Sequence, residues 1–307
     1  MMSAMSESSS PASTLPSTPA PALTRIGVVG CGLMGAGIAE VCSRAGLDVI
    51  VREIDAAAAE RGRSRVLTSL DRGVSSGKLS EAERDAAVGR LAFTTDFGDL
   101  ADRQLVVEAV IEDEGLKTEV FAALDKVVVD EEAVLASNTS SIPVMKLGMA
   151  TKRPEQVIGI HFFNPVPVLR LVEVVTSLLT SPDTTARAEA FAIDVLNKKV
   201  IRSQDRAGFV VNALLIPYLL SAIRMMESGF ATAEDIDTGM VEGCKHPMGP
   251  LHLTDLIGLD TTLAVAQSLY EEFKEPLYAP PPLLSRMVEA GLLGRKSGRG
   301  FYDYARS

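Results

Sequence analysis

His161 closes the apolar run Val157-Ile158-Gly159-Ile160, and Glu173 sits inside Leu171-Val172-Glu173-Val174-Val175, twelve residues on. Imidazole is the side chain whose ordinary pKa lets it take and return a proton near neutral pH. A carboxylate on one ring nitrogen fixes the tautomer and raises the basicity of the other. Glu173 in an apolar run needs a partner too, because an unpaired buried charge is costly. A two-strand hairpin over this stretch brings the two side chains together. Such a pair suits removal of a hydroxyl proton while hydride leaves the same carbon, with base catalysis contributing about 10²–10⁴-fold. His246 and His252 lie in a helical context without such a neighbour and read as structural.

A hydride needs an acceptor, and the turn Gly30-Cys31-Gly32-Leu33-Met34-Gly35 offers a place for one. Gly30, Gly32 and Gly35 have the GxGxxG spacing. The first permits a tight turn, the second lets a pyrophosphate approach the backbone, and the third lets helix and strand pack closely. A helix opening at Leu33 and Met34 aims its free amides at the phosphate. Glu53 ends the next apolar run, where a carboxylate accepts hydrogen bonds from the adenine ribose hydroxyls. That favours NAD. Arg52 beside it leaves NADP open, because a guanidinium there is able to receive a 2′-phosphate.

The elements that must position these groups alternate. Residues 26–30 and 48–54 read as buried strands, with helix 33–45 between them and Gly46 as its stop. Strand, helix, strand at this length is a βαβ unit. Helices follow over 56–72, after Ser80 in a capping box with Glu83, and over 117–128 and 183–197. Strands are expected at 91–96, 104–111, 133–139, 157–163, 171–176 and 199–203. The sum is an α/β sheet covered on both faces. From Ala207 the pattern becomes all-helical, over 210–227, 233–242 and 251–273, with Pro217 expected to kink the first of these. Helix 210–227 is apolar nearly all round and predicts burial against other helices or a second subunit. The organisation read is a disordered tail (1–24), a dinucleotide-binding domain (25–206) and a helical domain (207–307).

Composition sets the bounds. A chain of 307 residues with 47% hydrophobic content buries a sizeable core. Its formal charge of −10 argues against a nucleic-acid or anionic-membrane surface. Cys31, Cys42 and Cys244 make no paired framework and have no metal-ligand spacing with the histidines, so neither disulfides nor a metal is expected. They fit a reducing cytoplasm. The Ser-, Thr-, Pro- and Ala-rich start has neither a basic segment nor an apolar core and reads as no targeting signal. No apolar run is long enough for a membrane span.

Several separate motifs resemble, in order, those of the L-3-hydroxyacyl-CoA dehydrogenase family. They are Ala136-Ser137-Asn138-Thr139-Ser140-Ser141, His161-Phe162-Phe163-Asn164-Pro165, Leu171-Val172-Glu173-Val174, Gly208-Phe209-Val210-Val211-Asn212, His246-Pro247-Met248-Gly249-Pro250, and residues 294–302. The resemblance covers residues 25–304 and is nearest to the short bacterial 3-hydroxybutyryl-CoA dehydrogenases. It implies a Rossmann domain with a helical dimerisation domain, and NAD-linked interconversion of 3-hydroxyacyl-CoA and 3-ketoacyl-CoA. It assigns His161 as general acid/base, Glu173 as its orienting partner, and Ser140 and Asn212 as donors to the substrate oxygens. It places Glu112, Lys117, Asn164 and Lys296 on NAD and Ser69 on CoA. Ser76 stands where the family often has a lysine for a CoA phosphate, which leaves Arg72 or Lys78 as replacements. Ala213 stands where an arginine is usual, and Glu53 where many members carry aspartate. Two other readings stay open on the residues: a dehydrogenase of free hydroxy acids or sugar acids, and a non-catalytic NAD-binding protein. The exposed apolar stretches expected in the helical domain predict a homodimer.

Overall fold

The structure, a computed structural model, describes residues 23–304. The expected tail lies outside the described residues except at its last two positions. Leu23 is buried, and the Thr24 amide donates to Gln104 Oε1 at 2.9 Å, so these two residues are packed rather than part of a disordered tail.

The first part alternates strands and helices. In chain order these are β1 (Arg25–Val29), α1 (Leu33–Arg44), β2 (Asp48–Arg52), α2 (Ala56–Ser75), α3 (Glu81–Val88), β3 (Leu91–Thr94) and β4 (Leu105–Glu108). Then come α4 (Glu114–Val127), β5 (Val134–Ser137), α5 (Val144–Gly148), β6 (Val157–Phe162), β7 (Leu171–Thr176), α6 (Pro182–Ala190) and β8 (Lys199–Gln204). The strands form one eight-stranded sheet in the order β3-β2-β1-β4-β5-β6-β7-β8. The first six pair in parallel, β7 runs antiparallel to β6, and β8 is parallel to β7. Order 3-2-1-4-5-6 is the Rossmann topology, with its switch point between β1 and β4. The near-continuous Val, Ile and Leu runs of the parallel strands follow from burial on both faces: separate apolar clusters lie to either side.

Helix starts follow local chemistry. Asp55 and Asp113 accept the Ala58 and Leu116 amides at the heads of α2 and α4. The predicted capping box is present, with Ser80 Oγ accepting the Glu83 amide and Glu83 Oε2 accepting the Ser80 amide.

After β8 the chain is helical: α7 (Val211–Glu227), α8 (Ala233–Thr238), α9 (Pro250–Ile257), α10 (Leu259–Phe273) and α11 (Pro282–Glu289). A third apolar cluster holds them together. Three expectations change here. The segment 251–273 is two helices, because Gly258 at φ +103° breaks the run. The helix expected over 183–197 ends at Ala190 and passes into a π-turn, Phe191–Val195, and π-turn Gly239–Gly243 likewise follows α8. Helix α7 continues through Pro217, but it is not buried all round, since Leu214 is 74% exposed. Among the described residues no helix is long and apolar enough to cross a membrane.

Candidate active site

The hairpin that carries the proton-transfer pair is the one antiparallel junction of the sheet. Register places His161 opposite Glu173. Directly opposed residues of antiparallel strands bring their side chains within contact distance. His161 Nδ1 and Glu173 Oε2 stand 2.7 Å apart, and both residues are buried. A carboxylate only accepts, so Nδ1 carries a proton, and in the neutral ring Nε2 is the nitrogen with the free lone pair. The rings of Phe163 and Phe209 flank the imidazole, with centroids at 4.6 and 5.5 Å. The other carboxylate oxygen, Glu173 Oε1, accepts the amides of Val210 and Val211 at 3.0 Å each. Glu173 therefore ties the base to the first turn of α7. Asn212 follows in that turn, and its side chain makes no hydrogen bond among the described residues.

Ser140 enters from the loop after β5. Glu112 Oε1 gathers that loop: it accepts from Thr139 Oγ1 at 2.5 Å, the Ser140 and Ser141 amides at 2.9 and 3.1 Å, and Ser141 Oγ at 2.9 Å. Its Oε2 lies 3.2 Å from Lys117 Nζ. Burial pushes the Glu112 carboxyl up, but the Lys117 ammonium and these donors outweigh it and hold the group below the ordinary carboxylate range. Asn138 Oδ1 accepts the Phe162 amide at 2.9 Å, which fixes this loop to the strand of His161.

The Gly-rich turn has the form that a dinucleotide needs. Gly30 has φ +89°, open to glycine alone at little cost. A methyl on Gly35 would stand 1.8 Å from the Gly30 carbonyl oxygen, so helix and turn touch there. At Gly32 a methyl would meet nothing within 4 Å. Gly32 is also the N-cap of α1 and offers no side chain to its amides, which leaves them for an anion. Glu53 Oε1 accepts the Cys31 amide at 2.5 Å and Oε2 the Ile54 amide at 3.0 Å, placing the carboxylate beside the turn. Arg52, the residue that left NADP open, lies with its guanidinium 3.9 Å from the centre of the Phe97 ring. These residues fit an adenine dinucleotide without a 2′-phosphate.

The other expected residues divide. Lys117 is 1% exposed, with its ammonium 2.7 Å from Glu108 Oε1. Glu108 escaped the sequence analysis. It is fully buried at the end of β4, where its other oxygen accepts Ser137 Oγ at 2.6 Å and its Oε1 also accepts the Val110 amide. The signal was present: an acid ending the apolar run Leu105-Val106-Val107 raises the same question as Glu173. Asn164 is exposed in the loop after β6. Lys296 lies in the helical part, where its ammonium reaches both Asp260 oxygens at 2.5 and 2.6 Å. Ser69 is half-buried on α2, while Arg72 and Lys78 are exposed. No metal-capable cluster exists among the described residues.

A Rossmann sheet, a dinucleotide turn and a His–Glu pair at the sheet's mouth, with helices beyond, define an NAD-dependent dehydrogenase. Residues 25–206 match the 3-hydroxyacyl-CoA dehydrogenase NAD-binding domain, and residues 208–304 match the C-terminal domain of the same family. The chain belongs to the 3-hydroxyacyl-CoA dehydrogenase family. A Mycobacterium tuberculosis 3-hydroxybutyryl-CoA dehydrogenase is 63% identical over 283 residues, 92% of this chain and 99% of that protein. The human mitochondrial hydroxyacyl-coenzyme A dehydrogenase is 39% identical, covering 90% of each chain. The crystal structure of a Ralstonia eutropha (S)-3-hydroxybutyryl-CoA dehydrogenase superposes with TM-score 0.88 at 44% identity, over 93% of this chain and all of that one.

Proposed function

We propose that the chain interconverts a short-chain (S)-3-hydroxyacyl-CoA, 3-hydroxybutyryl-CoA foremost, and the matching 3-ketoacyl-CoA. The observation that carries the mechanism is the 2.7 Å contact between His161 Nδ1 and Glu173 Oε2. In the oxidative direction Nε2 of His161 takes the C3 hydroxyl proton, and Glu173 stabilises the imidazolium that results. Bound NAD supplies the hydride acceptor. In reverse, His161 returns the proton to the C3 oxygen. Ser140 and Asn212 donate to that oxygen where negative charge develops. Glu112 and Lys117 hold the Ser140 loop, Asn164 borders the site, and Glu53 receives the adenine ribose. Lys296 reaches the cofactor from the helical side. Ser69, Arg72 and Lys78 on α2 and the turn after it face the CoA.

The names of the relatives support the substrate, since the 63% identical protein is a 3-hydroxybutyryl-CoA dehydrogenase. We assign residues 25–206 to the cofactor and 207–307 to a homodimer interface. The free, buried thiols Cys31 and Cys42 support a cytoplasmic site of action.

The test is NADH consumption with acetoacetyl-CoA beside free acetoacetate, for the wild type and His161→Ala. The wild type should consume NADH with the thioester alone. His161→Ala should lose about 10²–10⁴-fold in kcat with NADH affinity retained. Consumption with free acetoacetate alone, or near-normal turnover by the variant, overturns the proposal.

A further inference from the structure

Glu108 is fully buried at the end of β4. Its Oε1 accepts the Val110 amide and the Lys117 ammonium, each at 2.7 Å, and its Oε2 accepts Ser137 Oγ at 2.6 Å. Acceptance at every contact is the bonding pattern of an ionised carboxylate. A buried ion is costly unless its charge is matched. Here it is matched only in part. Lys117 Nζ also lies 3.2 Å from Glu112 Oε2, so one ammonium serves two carboxylates and one negative charge is left over. The head of α4 does not offset it: Lys146 pairs with Glu114 at 2.7 Å, and Asp113, which caps the Leu116 amide, is itself an anion.

The sheet places this charge. Register aligns Val29, Glu108, Ser137 and Gly159 in one row across β1, β4, β5 and β6. Gly30, where the dinucleotide turn begins, follows Val29, and His161 stands two residues beyond Gly159. Two strand spacings and two residues put the Cα atoms of Glu108 and His161 about 12 Å apart. The Val110 amide that Glu108 holds is also the group that a methyl on Gly30 would meet at 2.9 Å. A dinucleotide that starts on this turn and takes hydride from a carbon beside His161 must lay its nicotinamide over this row, with the reacting atoms about 3–3.5 Å apart. That ring is a cation in NAD+ and neutral in NADH.

We infer that Glu108 is a positioning residue that favours the oxidised cofactor: the negative charge it leaves in excess, with Glu112 over Lys117, strengthens binding of NAD+ relative to NADH. The missing positive charge of the buried network is the nicotinamide ring. The inference rests on the place proposed above for the reacting carbon, between His161 and Ser140. It adds a residue that acts on the cofactor from beneath the site, without touching it.

The test measures the dissociation constants of NAD+ and NADH by calorimetry on the protein without substrate. Glu108→Gln keeps the shape and removes the charge; Glu108→Asp keeps the charge and alters the shape. In Glu108→Gln the affinity for NAD+ should fall about three- to tenfold more than that for NADH, the scale of a unit charge about 10 Å away in a medium between protein and water. Glu108→Asp should hold the wild-type ratio even where both affinities weaken. If Glu108→Gln fails to fold, Glu112→Gln removes the same excess charge at its 36% exposed end and should move the ratio the same way. Equal losses for both nucleotides on neutralisation, or the same change of ratio in Glu108→Asp, overturn the inference and leave Glu108 a packing residue. Binding needs no turnover, so the two readings fail separately. Near-normal turnover by His161→Ala overturns the proposed base, while a shifted ratio in Glu108→Gln still establishes the charge effect.

Discussion

Glu173 does two jobs with two oxygens. One oxygen sets the tautomer of His161; the other accepts two amides of α7. Glu173→Gln keeps the shape but removes the charge that stabilises the imidazolium. We expect kcat to fall about 10²-fold with KM for NADH unchanged, since base catalysis contributes on this scale. Unchanged kcat would show that the carboxylate only packs. Glu112 gives a pH signature. Its carboxyl titrates below its unfolded value of 4.5. The stability it adds is therefore complete above that pH and is lost as pH falls through the lower folded value. Glu112→Gln should melt lower at neutral pH and lose less on acidification below about pH 4.5. Parallel acid limbs for the two proteins would remove Glu112 from that transition. Thiol chemistry is settled by burial: desolvation first, then the Glu53 charge, push the Cys31 thiol up to about 12. Cys244 is exposed and should be the one thiol that a disulfide reagent titrates quickly in the folded protein.

At the scale of elements, the β1–α1 turn separates packing from binding. A methyl at Gly35 meets the Gly30 carbonyl oxygen, while a methyl at Gly32 meets open space. Gly35→Ala should lower Tm and abolish NADH binding together. Gly32→Ala should keep Tm and still lose NADH affinity, because its methyl occupies the approach of the pyrophosphate. If Gly32→Ala binds NADH normally, the pyrophosphate does not lie on this turn. The βαβ unit and the hairpin of β6 and β7 were legible in the sequence, because apolar runs and glycine stops are local signals. The break at Gly258 was not. Apolar spacing passes straight through it, and what turns the chain there is a positive-φ backbone crowded by Asp260, the next residue but one, and by Lys296 from a distant segment. The π-turns after α6 and α8 likewise leave no mark on periodicity.

For the whole molecule, α7 and its surroundings leave Val210, Leu214, Met225 and Phe230 exposed at 39%, 74%, 42% and 80%. The first three follow helical spacing along one side of α7, the side we propose for the homodimer contact. Light scattering should give twice the 32.6 kDa chain mass, and Leu214→Glu should give the single mass. A wild-type monomer at micromolar concentration would refute the homodimer. The site itself was half legible. His161 and Glu173 announced themselves because a charge inside an apolar strand demands a partner twelve residues away. The buried triad of Glu108, Lys117 and Ser137 did not, because Glu108 and Ser137 are 29 residues apart and meet only through the parallel register of β4 and β5. The shared carboxylate of Glu173 also has a consequence for exchange of parts. A chimera joining residues 25–206 of this chain to the helical half of a relative would inherit a native cofactor cradle. Its base, however, would be steadied by a borrowed helix, and turnover would grade how well that foreign helix seats.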